Sequence, residues 1–328
     1  MQISVLLPIK STIISSSSDH HYHHHMSSEK TLFSSLKLCN PQKKIGNRPN
    51  IFECFSPISS KSRLAAASDS TAKAEIDDEK RVIQLPGDLR PELLPKHVAL
   101  IIDGHGRWAK NKGLPIEHAH YESKQKLKQL ILNCRKFGIK ILTVYVFSTE
   151  NWNRPKDEVD FLLAHFEGFI QSFITEQIMG QDLRFSVIGD KSKLSQSMQS
   201  TISSVEEFAK CNRGMHFLMA LNYGGRYEIT EASKKIACKV EQGILRAEDI
   251  NESVFEQQLL TNVTELPNPD LLIRTGGELR VSNFLLWQMA YAEFYFSSKL
   301  FADFEEADLI EALSSFQRRQ RRFGGRKK

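Results

Sequence analysis

Short apolar runs alternate with longer amphipathic stretches along most of this 328-residue chain. The runs are continuous and rich in β-branched or aromatic residues, which is typical of strands buried on both faces. Alternating strands and helices favour an α/β fold, a single domain with a central, mostly parallel β-sheet flanked by helices. The predicted strands are Val98–Ile102, Ile141–Phe147, Leu183–Ile188, His216–Leu221, Leu271–Ile273 and Ala292–Phe296.

Apolar residues at helical spacing predict helices between several of these strands. Lys124–Phe137 and Asp157–Ile178 both show this period, and Asn283–Ala290 has the composition of a buried helix. Right-handed crossovers would bring the carboxyl ends of the strands to one edge of the sheet, where ligands bind in folds of this kind. We therefore expect the functional residues in the turns that follow the strands.

The first 70 residues differ from the rest of the chain. They contain 16 serines and 8 Lys or Arg but only 4 Asp or Glu, without a sustained hydrophobic period. High serine content with few acids is typical of an organelle transit peptide. We therefore predict a chloroplast (plastid) transit peptide over residues 1–70, with a mitochondrial signal and a disordered tail as alternatives. Residues 71–92 are interpreted as a linker, 93–325 as the folded domain and 326–328 as a basic tail.

Charge and motif content argue against several classes of function. The rest of the chain carries 36 Lys or Arg against 35 Asp or Glu, so it is nearly neutral and no nucleic-acid partner is expected. The five cysteines include no C-x-x-C pair, which argues against a zinc ribbon and a thioredoxin motif. A Walker A loop and a dinucleotide-binding G-x-G-x-x-G are also missing, which counts against NTP and NAD chemistry.

The turn after the first predicted strand has the residues of a phosphate site. Gly104 and Gly106 let the backbone approach a ligand, and N–H groups at a helix start favour an anion. Arg107 adds a guanidinium with the geometry to bind phosphate. Asp103 would repel a phosphate unless a divalent cation lies between them, and Mg²⁺ suits carboxylate and phosphate oxygens. The alternative is a tight turn with an N-capping aspartate.

A second basic turn follows the fifth predicted strand. Arg274, Arg280 and Ser282 supply two guanidinium groups and a hydroxyl, which can bind a diphosphate. Gly276 and Gly277 between them permit a concave arrangement of backbone N–H groups. A solvated loop with surface arginines is the alternative.

Two further places carry polar residues in an apolar context. Asn151, Trp152 and Arg154 form a polar and aromatic turn after the second strand, where Trp152 could instead be ordinary core. Glu293 lies inside an apolar strand, where a carboxylate is costly unless it is paired or bound to a metal. The alternative for Glu293 is a buried ion pair with an arginine.

Two phosphate-binding turns, an acidic metal anchor and many large apolar residues together indicate prenyl diphosphate chemistry. The acidic D-D-x-x-D repeat of trans-prenyl synthases and terpene cyclases is missing. From about Pro95 to Gly325 the chain closely resembles the cis-prenyltransferase (undecaprenyl diphosphate synthase-like) family. The matching segments, in order, are His97–Trp108, Phe147–Pro155, Leu221–Arg226, Pro269–Ser282 and Asn283–Phe296.

The resemblance implies a Mg²⁺-dependent transferase that condenses isopentenyl diphosphate with an allylic diphosphate of C5–C20 to make a Z-polyprenyl diphosphate. It implies catalytic roles for Asp103 in diphosphate departure and for Asn151 in proton removal, with Mg²⁺ bound by Asp103 and Glu293. The first turn and His120 would hold the allylic diphosphate, and the Arg274 turn would hold isopentenyl diphosphate. The substrate-binding residues so implied are Gly104, His105, Gly106, Arg107, Trp108, His120, Ser148, Glu150, Trp152, Arg154, Arg274, Arg280 and Ser282.

The resemblance also implies a hydrophobic tunnel within the fold and a homodimer. Arg322-Phe323-Gly324 matches a C-terminal motif that completes the isopentenyl site of the partner subunit. The helical region Asp157–Gln181 is not shortened, whereas very short-chain plant relatives look shortened there, so medium or longer products are expected. Long products would imply peripheral membrane association. Candidates for the tunnel wall, with ordinary core as the alternative, are Val146, Phe166, Phe169 and Met215.

Departures from the family pattern support a second hypothesis. The family usually has Asn at the position of His105 and Arg at the position of Ile116, and this Arg contacts the allylic diphosphate. A non-catalytic partner subunit of a heteromeric cis-prenyltransferase complex would tolerate such changes. The retained Asp103, Arg107 and Arg274 favour the enzyme.

Overall fold

Six strands form one sheet in the computed structural model, which describes residues 85–325. The strands are β1 (His97–Ile101), β2 (Ile141–Ser148), β3 (Arg184–Ile188), β4 (His216–Tyr223), β5 (Leu271–Arg274) and β6 (Glu293–Phe296). Their order across the sheet is β3-β4-β2-β1-β5-β6, and every neighbouring pair is parallel. All six predicted strands and the α/β fold are confirmed.

Helices connect the strands on both sides of the sheet. The α-helices are α1 (His105–Lys112), α2 (Ile116–Lys136), α3 (Lys156–Phe169), α4 (Thr175–Gln181), α5 (Gln196–Ala209), α6 (Gly225–Glu241), α7 (Glu252–Glu256) and α8 (Glu306–Gln317). None of the helices within residues 85–325 is long and apolar enough to cross a membrane.

The sheet is buried on both faces, as the continuous apolar runs predict. Successive side chains of a strand point to opposite faces. Leu100 and Val144 belong to the larger apolar cluster, whereas their neighbours Ala99 and Tyr145 belong to a second cluster. Strands β1 and β4 are buried at every position. This two-sided burial explains why the strands show no apolar–polar alternation in the sequence.

Two predicted helices are confirmed with different boundaries. The predicted helix Lys124–Phe137 is the second half of α2, whose earlier turns bury Ala119, His120 and Ser123 and so lack a strong apolar period. The predicted helix Asp157–Ile178 is α3 and α4 joined by a π-helical turn, Ile170–Ile174. Such turns insert one residue per turn and leave the overall hydrophobic period almost unchanged.

The predicted helix Asn283–Ala290 is wrong. Ser282, Asn283 and Leu285 have φ angles of +46°, +61° and +41°, in the left-handed region that a right-handed helix cannot contain. The segment forms a series of turns, although Phe284 and Leu285 are fully buried as expected. Burial of an apolar segment therefore did not require a helix here.

The described residues begin with a segment that packs against α8. Leu85 and Leu89, inside the predicted linker 71–92, are buried in the larger apolar cluster. Between them, the Asp88 carboxylate accepts a hydrogen bond from the Ser314 hydroxyl at 2.7 Å. The predicted transit peptide 1–70, the linker before Leu85 and the basic tail 326–328 lie outside the described residues.

The sheet order places four polar turns side by side. Polar turns follow β1, β2, β4 and β5, and these strands are consecutive in the order β4-β2-β1-β5. Because all strands are parallel, their carboxyl ends lie at one edge of the sheet. The fold therefore brings together turns that are up to about 170 residues apart in the sequence, as the hydrogen bond between Asp103 and Arg274 shows.

Gly189 and Gly138 provide a matched test of this packing. Both have positive φ angles, +134° and +79°, but a Cβ on Gly189 would lie 1.9 Å from the Leu221 carbonyl oxygen, whereas one on Gly138 meets nothing within 4 Å. We expect Gly138→Ala to reduce the free energy of unfolding by about 1 kcal/mol, from backbone strain alone. Gly189→Ala should cost more than about 3 kcal/mol, because β3 and β4 must also separate. Urea unfolding of both variants checks this, and equal losses would contradict the close approach.

Candidate active site

A cavity of about 510 Å³ opens at the carboxyl edge of the sheet, next to β1, β2 and β5. One part of its wall is polar and the other is apolar. The predicted site residues that line it are Asp103, His105, His120, Ser148, Glu150, Asn151, Arg154, Arg274 and Ser282. The apolar lining comes mainly from β2, α2 and α3, and includes Leu127, Val146, Phe147, Leu162, Phe166 and Phe169. Of the candidate tunnel residues, Met215 is buried but is not part of this wall.

An ion pair joins the turn after β1 to the end of β5. Arg274 Nη2 donates a hydrogen bond to Asp103 Oδ2 at 2.8 Å, and the Arg274 side chain is only 4% exposed. Asp103 Oδ1 accepts a second hydrogen bond from the Gly104 backbone N–H at 2.6 Å. Arg107 Nη2 lies 3.6 Å from the same oxygen. The two predicted phosphate-binding turns therefore meet at one carboxylate.

The charge state of Asp103 follows from these contacts. Burial raises the pKa of this carboxyl, but the hydrogen bond and positive charge of Arg274 outweigh burial, with help from Gly104 and Arg107. The net pKa is below the ordinary value for an aspartate, so Asp103 is ionised at neutral pH. An ionised carboxylate beside a phosphate site is a ligand that Mg²⁺ accepts together with phosphate oxygens.

The Arg274 turn is held close to the Arg107 helix. Arg107 Nη1 donates to the Gly276 carbonyl oxygen at 2.6 Å and lies 3.2 Å from Glu278 Oε1. Gly276 has a φ angle of +89°, which favours glycine, and a Cβ there would lie 2.8 Å from Arg107 Nη2. Arg280 also pairs with Glu278, at 2.6 Å, and its side chain is 60% exposed. Arg280 and Arg107 lie beside the cavity but do not line it.

Arg274 also organises its own turn. Its Nη1 donates to the Ser282 hydroxyl at 2.7 Å and to the Arg280 carbonyl oxygen. Its buried Nε has no hydrogen-bond partner within the described residues. The buried guanidinium thus holds Asp103 on one side and Ser282 on the other.

The turn after β2 is closed by two reciprocal hydrogen bonds. Asn151 Oδ1 accepts from the Ser148 backbone N–H at 2.9 Å, and the Ser148 side chain accepts from the Asn151 N–H. Arg154 lines the cavity and pairs with Glu158 at 3.0 Å. Trp152 is different, because its indole packs edge-on against Phe147 and donates to a neighbouring amide. Trp152 is therefore half-buried and packs against the core rather than lining the cavity, which is closer to the alternative interpretation.

Three histidines form a neutral wall of the cavity. His105 and His120 stack with ring centroids 4.9 Å apart, and His165 on α3 also lines the cavity. Burial lowers the pKa of His105 to about 4 and that of His120 to about 3. His120 Nε2 and His165 Nε2 are buried without a hydrogen-bond partner within residues 85–325. Burial also lowers the pKa of His165, so the three rings are uncharged at neutral pH, and the Nε2 atoms of His120 and His165 are available to a ligand.

Sequence reasoning missed His165 and Asn283, which both line the cavity. His165 lies on the apolar face of α3, one residue before Phe166. The only signal for it in the sequence is a polar ring at the helical spacing of core residues. Asn283 follows Ser282 directly but belongs to the segment predicted as a helix. Asn283 begins the matching segment Asn283–Phe296, but no role was assigned to it, and His165 lies outside the matching segments.

Other predicted residues lie outside the cavity. Gly104 and Gly106 begin α1, and a Cβ on Gly104 would lie 2.6 Å from a Leu300 side-chain carbon. Trp108, further along α1, donates its indole N–H to Asp303 at 2.8 Å. These contacts fix α1 beside the cavity rather than forming its wall.

Glu293 is not brought together with Asp103. It is the first residue of β6 and aligns with Leu271 at the start of β5, whereas Arg274 aligns with Phe296 at the other end. Glu293 therefore lies at the amino edge of the sheet, where it pairs with Arg319 at 2.8 Å. Within a single chain, Glu293 therefore forms an ion pair with an arginine, which was the alternative to metal binding. No cluster of three His, Cys, Asp or Glu suited to a metal ion occurs in the described part of the chain.

The C-terminal segment also lies at the amino edge. Arg321 pairs with Asp270, which precedes β5, and the Phe323 ring contacts Tyr291 with centroids 5.9 Å apart. Arg322 contacts Gln320 at 3.2 Å. The Arg322-Phe323-Gly324 motif therefore does not contribute to the cavity of its own chain.

Comparisons with known proteins agree on one family. A model of the undecaprenyl diphosphate synthase family matches residues 101–324. A chloroplastic (2Z,6Z)-farnesyl diphosphate synthase of Solanum lycopersicum is 52% identical over 234 residues, covering 71% of this chain and 80% of the relative. A chloroplastic nerylneryl diphosphate synthase of the same plant is 52% identical over 238 residues, covering 73% of each.

A solved structure shares the fold. The crystal structure of lavandulyl diphosphate synthase from Lavandula x intermedia, in complex with dimethylallyl diphosphate, superposes with a TM-score of 0.70 at 50% identity. The match covers 71% of this chain and 99% of that chain.

The electrostatic role of Arg274 can be tested by titration. We expect Arg274→Met to raise the pKa of Asp103, because burial then acts without the compensating hydrogen bond and charge. Carbon-detected NMR of the Asp103 carboxyl measures the change. Arg280→Met is the matched control, since Arg280 makes no contact with Asp103 and should leave its pKa unchanged. An unshifted Asp103 pKa in Arg274→Met would show that the ion pair does not set the charge state.

Proposed function

The chain belongs to the undecaprenyl diphosphate synthase-like family of cis-prenyltransferases, and we propose that it joins isopentenyl diphosphate to an allylic diphosphate to make a Z-polyprenyl diphosphate. The observation that carries this proposal is the Asp103–Arg274 ion pair, which links two phosphate-binding turns beside an apolar-walled cavity. The same retained contact argues against the alternative of a non-catalytic partner subunit.

The first turn and α1 would bind the allylic diphosphate. The backbone N–H groups at the start of α1 and the Arg107 guanidinium favour an anion. The neutral His120 ring has a free Nε2 that can donate a hydrogen bond to a phosphate oxygen in one tautomer. Departure of the diphosphate builds negative charge, which these fixed donors stabilise.

Asp103 would hold Mg²⁺, and the residues present fit this ion. One ionised carboxylate next to a diphosphate is sufficient, because Mg²⁺ takes its other ligands from phosphate oxygens and water. When bound, Mg²⁺ supplies positive charge that neutralises the allylic diphosphate. Glu293 does not take part within one chain, because it lies at the other edge of the sheet.

The Arg274 turn would bind isopentenyl diphosphate. Arg274 and Ser282 line the cavity, and Arg280 lies at the same turn with an exposed guanidinium. Asn151 on the neighbouring turn would assist removal of the proton from the isopentenyl unit. Its Oδ1 is engaged by the Ser148 N–H, and its Nδ2 is a hydrogen-bond donor only, so Asn151 would assist by donating a hydrogen bond to the substrate phosphate oxygen that takes the proton.

The apolar wall would receive the growing chain. Burial of each CH₂ contributes about 0.8 kcal/mol, so entry of the chain into this space is favourable. The same wall excludes water from the allylic cation. The helical segment from α3 to α4 runs over Lys156–Gln181, which supports medium or longer products. Long products would favour association with a membrane surface.

Location and assembly complete the proposal. The serine-rich composition of residues 1–70 and the chloroplastic names of similar proteins support a plastid enzyme. Because Arg322 lies at the amino edge in its own chain, any contribution of the C-terminal motif to a cavity comes from a second copy in a homodimer.

Incubation of the purified protein with labelled isopentenyl diphosphate, Mg²⁺ and C5, C10, C15 or C20 allylic starters tests the function. Chromatography should show Z-polyprenyl diphosphates, and removal of Mg²⁺ with EDTA should abolish them reversibly. Asp103→Asn should lower kcat by at least about 100-fold, because charge stabilisation at the leaving group is lost. Asp249→Asn removes a surface ion pair with Arg246 and is the matched control. Full turnover by Asp103→Asn would refute the proposed role.

The missing arginine at Ile116 allows a gain-of-affinity test. Ile116 Cδ1 lies 4.0 Å from the position that a Cβ on Gly106 would take, so this side chain borders the first turn of α1. We expect Ile116→Arg to lower the KM for the allylic diphosphate by about tenfold, the value of one charged hydrogen bond. Leu114→Arg adds the same charge at an exposed neighbouring position and should have little effect. An unchanged or raised KM in Ile116→Arg would show that the guanidinium is irrelevant here.

A further inference from the structure

Asn283 connects three turns at the carboxyl edge of the sheet. It follows Ser282 directly, and its φ angle of +61° is one that asparagine tolerates better than most residues. Both its side chain and its backbone face neighbouring elements rather than its own segment.

Three hydrogen bonds fix Asn283 in place. Its Nδ2 donates to Glu150 Oε1 at 2.9 Å, on the turn after β2. Its Oδ1 accepts from the Arg226 N–H at 2.9 Å, and its carbonyl oxygen accepts from the Gly225 N–H at 2.6 Å, both at the start of α6. The amide side chain thus uses its donor and acceptor ends on two different elements.

Two glycines at the start of α6 allow Asn283 to lie close to the backbone there. A Cβ on Gly224 would lie 2.9 Å from Asn283 Nδ2, and one on Gly225 would lie 3.1 Å from the Asn283 carbonyl oxygen. Side chains at these two positions would push Asn283 away. The glycines after β4 therefore allow close packing against Asn283, and also against Thr149 and Leu286.

Asn283 is one residue from the group that would bind isopentenyl diphosphate. Ser282 accepts a hydrogen bond from Arg274 at 2.7 Å, and Arg274 in turn holds Asp103. A displacement of Asn283 is transmitted to Ser282 through a single peptide bond. A continuous series of contacts therefore runs from Glu150 through Asn283 to the Arg274 ion pair.

The contact between Asn283 and Glu150 fixes the position of a negative charge in the cavity. Glu150 lines the cavity, where a mobile carboxylate would repel a diphosphate. Burial raises the pKa of Glu150, but hydrogen bonds, chiefly from Asn283, outweigh burial and lower the pKa below its ordinary value. Glu150 is therefore ionised at neutral pH, and Asn283, together with Ser148 and Thr149, holds the charged group in place.

We propose that Asn283 is a positioning residue that holds Ser282 and Glu150 at the distance needed to bind the diphosphate of isopentenyl diphosphate. The proposal rests on the proposed function, which assigns that substrate to the Arg274 turn. A residue with a merely structural role would affect stability, or the binding of both substrates equally. A positioning residue at this turn should affect one substrate selectively.

Calorimetric binding of each substrate alone, with Mg²⁺ present, separates these cases without requiring turnover. Asn283→Ala removes both side-chain hydrogen bonds without adding charge, and should weaken binding of isopentenyl diphosphate by about tenfold. Binding of dimethylallyl diphosphate should change less than about twofold, since its donors on α1 are not displaced. Equal weakening of both substrates, or unchanged binding of isopentenyl diphosphate, would overturn the proposal.

A rescue pair tests whether the contact with Glu150 is responsible. Asn283→Asp keeps the acceptor for Arg226 but places a second carboxylate against Glu150, so isopentenyl diphosphate binding should fall at least as far as in Asn283→Ala. Combining it with Glu150→Gln restores a donor–acceptor pair, in which Gln donates to Asp, and should recover most of the loss. A double variant that binds no better than Asn283→Asp would contradict this route.

One control variant and the activity of the wild-type protein separate the positioning role from the proposed function. Asn251→Asp adds the same charge at the N-terminal cap of α7, outside the cavity, and should leave both affinities unchanged. If the wild-type protein binds isopentenyl diphosphate but forms no product, the proposed function fails while the positioning role is still decided by the affinities. If the wild-type protein makes product and Asn283→Ala binds like it, the positioning role alone fails.

Discussion

The contact between Asp103 and Arg274 is the interaction on which the rest of the site depends. It joins the end of β1 to the end of β5, and it brings a carboxylate and a buried guanidinium into one place. Each charge offsets part of the desolvation free energy of the other, because an isolated buried charge would be strongly unfavourable. The same guanidinium also binds Ser282. One side chain therefore connects the turn that would hold the allylic diphosphate with the turn that would hold isopentenyl diphosphate.

The parallel sheet makes this meeting possible. Strand carboxyl ends lie at one edge in such a sheet, so residues that directly follow strands converge whatever their separation in sequence. This rule predicted the meeting of Asp103 and Arg274 and the contribution of Ser148 and Asn151. Applied to Glu293, it gives the opposite edge, because Glu293 begins β6 instead of following it. The resemblance to a family suggested a shared metal site, and the backbone direction of β6 shows why one chain does not form it.

Other features could not be predicted from the pattern of residues. The segment 283–290 has the composition of a buried helix, but Asn283 and Leu285 have positive φ angles. Asn283 is held by hydrogen bonds from the start of α6, which the local sequence does not encode. His165 was missed because a single polar ring on an apolar helix face resembles an ordinary core histidine. Its importance appears only when α2 and α3 bring it to the same cavity as His120. Long-range packing, unlike strand direction, leaves little trace in one sequence.

A crystal structure with isopentenyl diphosphate, Mg²⁺ and an unreactive thio analogue of an allylic diphosphate would show where each diphosphate binds relative to Asp103 and Arg274. We expect one diphosphate at the start of α1 and the other at Arg274 and Ser282, with Mg²⁺ at Asp103 and the hydrocarbon chain against Leu162 and Phe166. Diphosphates bound away from both turns, or a hydrocarbon chain outside the apolar wall, would contradict this expectation.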